Sequence, residues 1–108
     1  MERYDLAAHR GATFSRTIRL EKGGAALDLT GWTVKAQVRP EPDAPTLICE
    51  MDVTVIPAEG KVKIRIPAEV TAEIPQGVYA WDIRMTDAEG ESRYYLGGAF
   101  KALPSVTK

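Results

Sequence analysis

The fold of this chain is decided by one stretch of its last third, Gly77-Val78-Tyr79-Ala80-Trp81-Asp82-Ile83-Arg84-Met85-Thr86. Successive side chains of a β-strand point to opposite faces, so alternate residues of this stretch share a face. The apolar face contains Tyr79, Trp81, Ile83 and Met85. Turn-forming residues 87–90 follow, and the return strand is expected to add to the same face Tyr94, Leu96, Gly98, Phe100 and Ala102. Such a hairpin needs a second layer to cover its apolar face.

Most of the remaining chain has the same two-residue period, which favours half-buried strands. The expected inward sets are Phe14, Ile18 and Leu20; Trp32, Val34, Ala36 and Val38; Leu47, Cys49, Met51, Val53 and Val55; and Val62, Ile64 and Ile66. A weaker first strand is expected over residues 4–9. Residues 40–45 include three prolines, which exclude both helix and sheet, and they predict an exposed, mobile loop.

The spacing of these strands predicts an all-β fold, an immunoglobulin-like antiparallel β-sandwich of about seven strands. One short helical turn is expected before the sixth strand, within residues 67–75, because prolines bracket that segment. Tyr79 is placed to donate a hydrogen bond to upstream backbone, as the tyrosine at the corner of such domains does. Trp81 stands where immunoglobulins have their second disulfide cysteine.

Length and composition indicate a single domain over residues 1–108, with flexible ends at 1–3 and 104–108. The net charge is −1 and the basic residues are scattered, which argues against nucleic acid or a membrane as a partner. A lone cysteine and an N-terminus without an apolar core indicate synthesis in a cytoplasm.

No group of residues suggests catalysis, so the sequence predicts that the protein is not an enzyme. His9 is the only histidine and has no nucleophile motif beside it. Cys49 lies on an apolar strand face and is expected to be a buried, inert thiol. Gly97 and Gly98 lack the lysine and the strand-to-helix context of a phosphate-binding loop.

The indications of a metal or ligand site are equally weak. No catalytic, cofactor-binding or metal-binding residue is assigned. One histidine and one cysteine cannot build a usual zinc site. An acidic group around the hairpin turn offers oxygen ligands for calcium but lacks EF-hand spacing: Asp82, Asp87, Glu89 and Glu91. Trp32 and Trp81 are expected in the core rather than in a sugar-stacking platform. The basic strand face of Lys61, Lys63 and Arg65 is expected to be solvated and offset by Glu59 and Glu69.

Four pieces of the chain carry a family resemblance. They are Arg10-Gly11-Ala12-Thr13-Phe14, Leu27-Asp28-Leu29-Thr30-Gly31-Trp32 with the strand to Arg39, residues 68–83, and the turn at Gly90. With these pieces, residues 10–102 resemble small proteins encoded in tail and baseplate gene clusters of tailed bacteriophages and prophages. Among these is the immunoglobulin-like N-terminal domain of baseplate upper proteins.

The resemblance implies a non-enzymatic tail or baseplate component of the virion that acts through protein–protein contacts. Its partners would be other phage tail or baseplate proteins, or further copies of itself in a homo-oligomer. Its location would be the bacterial cytoplasm during synthesis and the virion after assembly. The alternative function is a β-sandwich module that binds carbohydrate or a host surface.

Overall fold

Short strands make up most of the structure, a computed structural model that describes residues 2–106. The strands are β1 (Glu2–Arg3), β2 (Leu6–His9), β3 (Phe14–Arg19), β4 (Glu21–Lys22), β5 (Ala25–Ala26), β6 (Thr33–Arg39), β7 (Cys49–Glu50), β8 (Asp52–Ile56), β9 (Lys61–Ile66), β10 (Gly77–Thr86) and β11 (Ser92–Leu103). A 3-10 turn covers Pro57–Glu59, and helix α1 covers Ala68–Thr71. Of the expected flexible ends, Met1, Thr107 and Lys108 lie outside the described residues, while Glu2 and Arg3 form β1.

The strands form two main layers. The larger sheet has the order β1-β11-β10-β6-β7, with β2 also paired to β11, and the smaller has the order β3-β9-β8. β4 and β5 form a separate two-stranded ribbon. The predicted all-β sandwich is confirmed, as is the short helix before β10. One departure is that β1 and β2 pair with β11 in parallel, whereas the other strand pairs are antiparallel.

The core lies between the two sheets and follows the predicted alternation. Its members from the middle strands are Ala36 and Val38 of β6, Val62, Ile64 and Ile66 of β9, and Trp81, Ile83 and Met85 of β10. Phe14 of the smaller sheet meets Phe100 of the larger one edge to face, with ring centroids 5.7 Å apart. This pair joins the layers in a domain that has no disulfide, because its single cysteine is free.

Several residues expected in the core are only half-buried against it, and Leu47 is exposed. The half-buried side chains are Leu20, Trp32, Val34, Val53, Val55 and Tyr79. Trp32 is half-buried where it precedes β6 and packs against Tyr95, with ring centroids 6.1 Å apart. Leu47 keeps 43% of its surface exposed because it precedes β7 and lies outside the paired part of the strand. Trp81, in contrast, is 3% exposed, as predicted.

The return strand contains a β-bulge that the alternation did not reveal. Ile83 pairs with Leu96, but Arg84 pairs with Tyr94, so Tyr95 is an extra residue in β11. The bulge turns Tyr94 to the solvent, where it is 53% exposed, and the prediction of an inward Tyr94 is therefore wrong. Tyr95 takes the half-buried position against Trp32 instead.

The corner before β10 is held by side-chain hydrogen bonds to backbone. The Tyr79 hydroxyl donates to the Pro75 carbonyl oxygen at 2.6 Å, as the sequence predicts. Thr71 of α1 is buried; its hydroxyl donates to the Ala12 carbonyl oxygen at 2.8 Å and accepts from the Gly11 amide at 3.1 Å. Thr71 therefore fixes α1 to the segment before β3, and Tyr79 fixes the loop between α1 and β10.

The N-terminal edge has an irregular turn of the backbone between β1 and β2. The Asp5 carboxylate accepts from the Ala99 amide at 2.9 Å, which replaces a missing ladder bond. The Trp81 indole donates to the Tyr4 carbonyl oxygen at 2.7 Å. A side chain at Gly98 would place its Cβ 2.5 Å from an Asp5 carboxylate oxygen, so only glycine allows this close approach.

Tyr79→Phe is expected to lower the free energy of unfolding by about 1 kcal/mol, because it removes one hydrogen bond and little apolar surface. Denaturant unfolding followed by tryptophan fluorescence measures the change. The matched control is Tyr94→Phe, which removes a hydroxyl from an exposed side chain and should leave the midpoint unchanged. Equal effects of the two substitutions would contradict the role given to the corner.

The stability of the N-terminal edge should depend on pH. The hydrogen bond from the Ala99 amide holds the pKa of Asp5 below its usual value. A lowered pKa stabilises the fold above the ordinary titration range of aspartate, and this contribution is lost as the pH falls through the folded-state pKa. We expect the gap in melting temperature between wild type and Asp5→Asn to be constant above about pH 5 and to narrow below about pH 4. A gap that does not change with pH would refute this, and Glu73→Gln is the control.

Candidate functional site

We call the solvent side of β6, β10 and β11 the outer face. On this face, charged and polar side chains of adjacent strands lie opposite one another. Lys35 of β6 lies directly opposite Arg84 of β10, and Gln37 lies opposite Asp82. The next pair along the strands brings Arg39 opposite Ala80. Two cations therefore occupy neighbouring positions at one end of the face, with a carboxylate one pair further along.

The outer face is concave. Its depression has a volume of about 570 Å³ and is lined by Lys35, Arg84 and Tyr94 at one end and by residues 41–43 at the other. The floor is low because Asp82 and Ala80 lie beside Gly97 and Ala99 of β11, residues with little or no side chain. The surrounding longer side chains form the rim.

Arg39 fixes the loop that closes one end of the depression. Its guanidinium donates to the carbonyl oxygens of Ala44 at 3.1 Å and Pro45 at 3.2 Å, and to the side-chain oxygen of Gln37 at 2.9 Å. Asp43 adopts a φ of 63° at the loop tip. The loop of residues 40–45 is thus exposed, as predicted, but it is anchored to β6 at its base.

The charges at the centre of the face lack partners of their own. Within residues 2–106, the side chains of Lys35, Asp82 and Arg84 make no hydrogen bond and no ion pair shorter than 4 Å. Partial burial raises the pKa of Asp82, against the opposing effect of Arg39 and Arg84. Like charges directly opposite on adjacent strands destabilise a sheet by a few tenths of a kcal/mol to about 1 kcal/mol, so the Lys35–Arg84 pair favours a bound anion.

The exposed face of the smaller sheet differs in this respect. Lys61 pairs with Glu59 at 3.5 Å, Arg65 with Asp52 at 3.7 Å, and Arg19 with Glu21 at 3.2 Å. The basic face predicted there is offset by Glu59, as expected, and by Asp52 in place of Glu69. Its charges are largely satisfied inside the chain, whereas those of the outer face are not.

The structure does not gather the candidate catalytic residues into one site. His9 is exposed at the end of β2, on one edge of the larger sheet, while Cys49 is buried in β7 on the other edge. Gly97 and Gly98 lie inside β11 beside the N-terminal segment rather than in a phosphate loop.

The acidic residues of the hairpin turn are likewise dispersed. An Asp87 carboxylate oxygen accepts from the amides of Glu89 at 2.9 Å and Glu91 at 3.0 Å, so it shapes the turn. Asp82 lies on the outer face instead. In the described part of the chain, no three histidine, cysteine or acidic side chains are grouped closely enough to hold a metal ion.

The sequence indicated which side chains of β6 and β10 point outward but not the depression they form. The missing information was the register between the strands, which sets Lys35 opposite Arg84 and leaves small residues beside Asp82. The alternation of side chains within one strand does not show which residues of the next strand lie opposite them. The opposed charges of the segments 35–39 and 82–84 were the only available indication.

The fold is similar to that of CopC from Methylosinus trichosporium OB3b. The TM-score is 0.54 and the identity 13%, over 95% of this chain and 89% of the CopC chain. At this identity the likeness shows the fold alone. No family model and no curated protein matches the chain. In residues 2–106 there is no helix with the length and apolar character needed to cross a bilayer.

The comparison corrects the function that the sequence resemblance implied. A solved structure that matches nearly the whole chain is CopC, which has no link to a phage, so the expected tail or baseplate role is wrong. The alternative, a carbohydrate- or host-surface-binding module, is not supported either.

The residues behind the resemblance have local structural roles in this fold. The Asp28 carboxylate accepts from the amide and hydroxyl of Thr30, at 3.0 and 2.6 Å, and Gly31 adopts a φ of 81°. The Trp32 amide then donates to the Leu29 carbonyl oxygen at 3.0 Å. These contacts form the turn that leads into β6, so the motif has a structural role in this fold.

Cys49 is expected to react slowly in the native protein. It is 8% exposed, and burial raises the pKa of its thiol to about 11, from an ordinary value of 9.0. Two pKa units mean about a hundredfold less thiolate at neutral pH, and the thiolate is the reactive form. Labelling with a thiol reagent should be slow in buffer, fast in denaturant, and faster in buffer as the pH approaches 11.

The matched control replaces Cys49 by alanine and places a cysteine at Thr54, an exposed position of β8. This thiol should react rapidly without denaturant. Native labelling of Cys49 at the rate of the Thr54→Cys variant would contradict the assignment of strand faces.

Proposed function

We propose that this protein is a non-enzymatic β-sandwich module that binds another polypeptide on its outer face. The observation that carries the proposal is the contrast between the two sheet faces. The smaller sheet pairs most of its charges internally, while Lys35, Asp82 and Arg84 have no such partners within residues 2–106. Two exposed cations and a half-buried carboxylate that, in the described residues, form no hydrogen bond or ion pair of their own are available to a partner in this concave surface.

A polypeptide suits this surface better than a ligand of one charge. The depression presents side chains of both signs beside the exposed ring of Tyr94. Its lining includes the cations Arg3, Lys35, Arg39 and Arg84 and the carboxylates of Glu41, Asp43 and Asp82. Tyrosine and arginine are enriched in protein interfaces, and the low floor formed by glycine and alanine lets a partner approach the sheet closely.

The proposal includes no reaction. The exposed His9 and the buried Cys49 belong to opposite edges of the larger sheet, which is unlike a nucleophile with a general base in hydrogen-bond reach. Asp82 has no nucleophile beside it on the outer face and is better suited to accept a hydrogen bond or a cation from a partner.

A random peptide library displayed against the immobilised protein tests the proposal. Selected peptides are expected to shift amide resonances of β6, β10 and β11. Arg84→Ala should weaken their binding about tenfold, the effect of losing one charged donor. The control is Lys63→Ala on the smaller sheet, which should change nothing. Failure to select any peptide, or peptides that bind Arg84→Ala as tightly as wild type, would overturn the proposal.

A further inference from the structure

We infer that Arg16 keeps the edge strand of the smaller sheet from pairing with a second copy of this chain. The smaller sheet has the order β3-β9-β8, so β3 is paired on one side only. We call the other side of β3, from Phe14 to Arg19, the open edge. The inference is independent of the proposed function, because the open edge and the outer face belong to different sheets.

The open edge carries backbone groups that can bond another strand. The Leu20 amide donates to the Gly60 carbonyl oxygen at 2.7 Å, which continues the register that places Ile18 opposite Val62. In an antiparallel ladder, residues that bond one neighbour alternate with residues whose amide and carbonyl groups point the other way. The groups that point to the open edge are therefore those of Ser15, Thr17 and Arg19. Within residues 2–106, no strand other than β9 pairs with β3.

Arg16 interrupts the inward row of β3 at its middle. Phe14 and Ile18, two residues to either side, are buried in the core, whereas Arg16 is exposed. Across the sheet, Arg16 lies opposite Ile64 of β9, which is completely buried. The alternation of side chains therefore places the base of the Arg16 side chain at the border of the core, where an apolar residue would extend the row.

The guanidinium of Arg16 stays in contact with water by turning along its own strand. Its central carbon lies 5.2 Å from the centroid of the Phe14 ring, within the range of a cation–π contact. In the described part of the chain, this guanidinium has no hydrogen bond and no carboxylate within 4 Å. Solvent therefore provides most of the stabilisation of this charge.

A strand added at the open edge would enclose this charge. The contact of Phe14 with Phe100 places β3 against β11, and β2 is paired to β11 on the side away from β10. An added strand would therefore face β2, with its inward side chains beside Arg16. The guanidinium would be taken out of water, and the burial of a charge without a partner is strongly unfavourable.

A second copy of β3 brings no carboxylate that could neutralise Arg16. The inward side chains of the strand are Phe14, Arg16 and Ile18, so in an antiparallel pairing Arg16 faces an apolar residue or the other Arg16. Like charges directly opposite on adjacent strands destabilise a sheet. An inward-pointing charge on an edge strand is one of the means by which proteins prevent edge-to-edge association.

The substitution Arg16→Val tests the inference on the full chain. It completes an apolar inward row and removes the uncompensated charge from the contact. Sedimentation velocity should therefore show self-association at least about tenfold tighter than that of the wild type. Hydrogen–deuterium exchange should show the amides of Ser15, Thr17 and Arg19 becoming protected as the concentration of the variant rises. In the wild type these amides should exchange freely at every concentration.

Two controls separate the position of the charge from its loss. Arg19→Val removes an exposed cation that points outward from the same strand, and this variant should associate as the wild type does. Arg16→Glu keeps a charge at the inward position and should also leave the open edge unpaired. If Arg16→Val does not fold, Arg16→Thr, which is neutral and of high strand propensity, is measured in its place with the same expectation.

Three results would overturn the inference. The first is a folded, neutral variant at Arg16 that associates no more tightly than the wild type. The second is equal association of the Arg19→Val variant, since the loss of any cation from β3 would then be sufficient. The third is protection of the amides of the open edge in the wild type that increases with concentration, because the edge would then pair despite Arg16.

Discussion

The structure depends on the burial of the inward row of β10. Trp81, Ile83 and Met85 are each at most 3% exposed, and their strand is paired on one side with β6 and on the other with β11. A strand that is bonded on both sides and covered on one face has a fixed register, because a slip of one residue would turn this row to the solvent. The register of β10 sets the positions of β6 and β11. It also sets which side chains of these strands lie on the outer face.

Much of this could be predicted from sequence because alternation is a local property. The inward rows of β6, β9 and β10 were all identified from their two-residue period, and Tyr79 was placed at its corner hydrogen bond. Tyr94 was misassigned because a bulge at Tyr95 changes the phase of the alternation without any change in composition. Leu47 was misassigned because a continuous pattern does not show where pairing begins.

The candidate surface was beyond sequence analysis for a different reason. Whether Lys35 meets a cation or an anion across the sheet depends on the pairing of β6 with a strand more than forty residues later. The expected phage role is wrong for another reason: it was inferred from the resemblance of short local segments. A turn built by Asp28, Thr30 and Gly31 is distinctive as sequence, yet its hydrogen bonds serve only to begin a strand. Similarity in such a segment reports a shared structural requirement.

The irregular N-terminal segment has a consequence for the sheet edge that it covers. β11 has twelve residues, and without β1 and β2 its outer side would expose backbone donors and acceptors to strands of other molecules. The covering strand is held in one register, since only there does the Asp5 carboxylate reach the Ala99 amide while Gly98 leaves room for it. One carboxylate and one absent side chain thus hold in place the strands that cover the edge of β11, and an uncovered edge of this length is where strands of other molecules could pair.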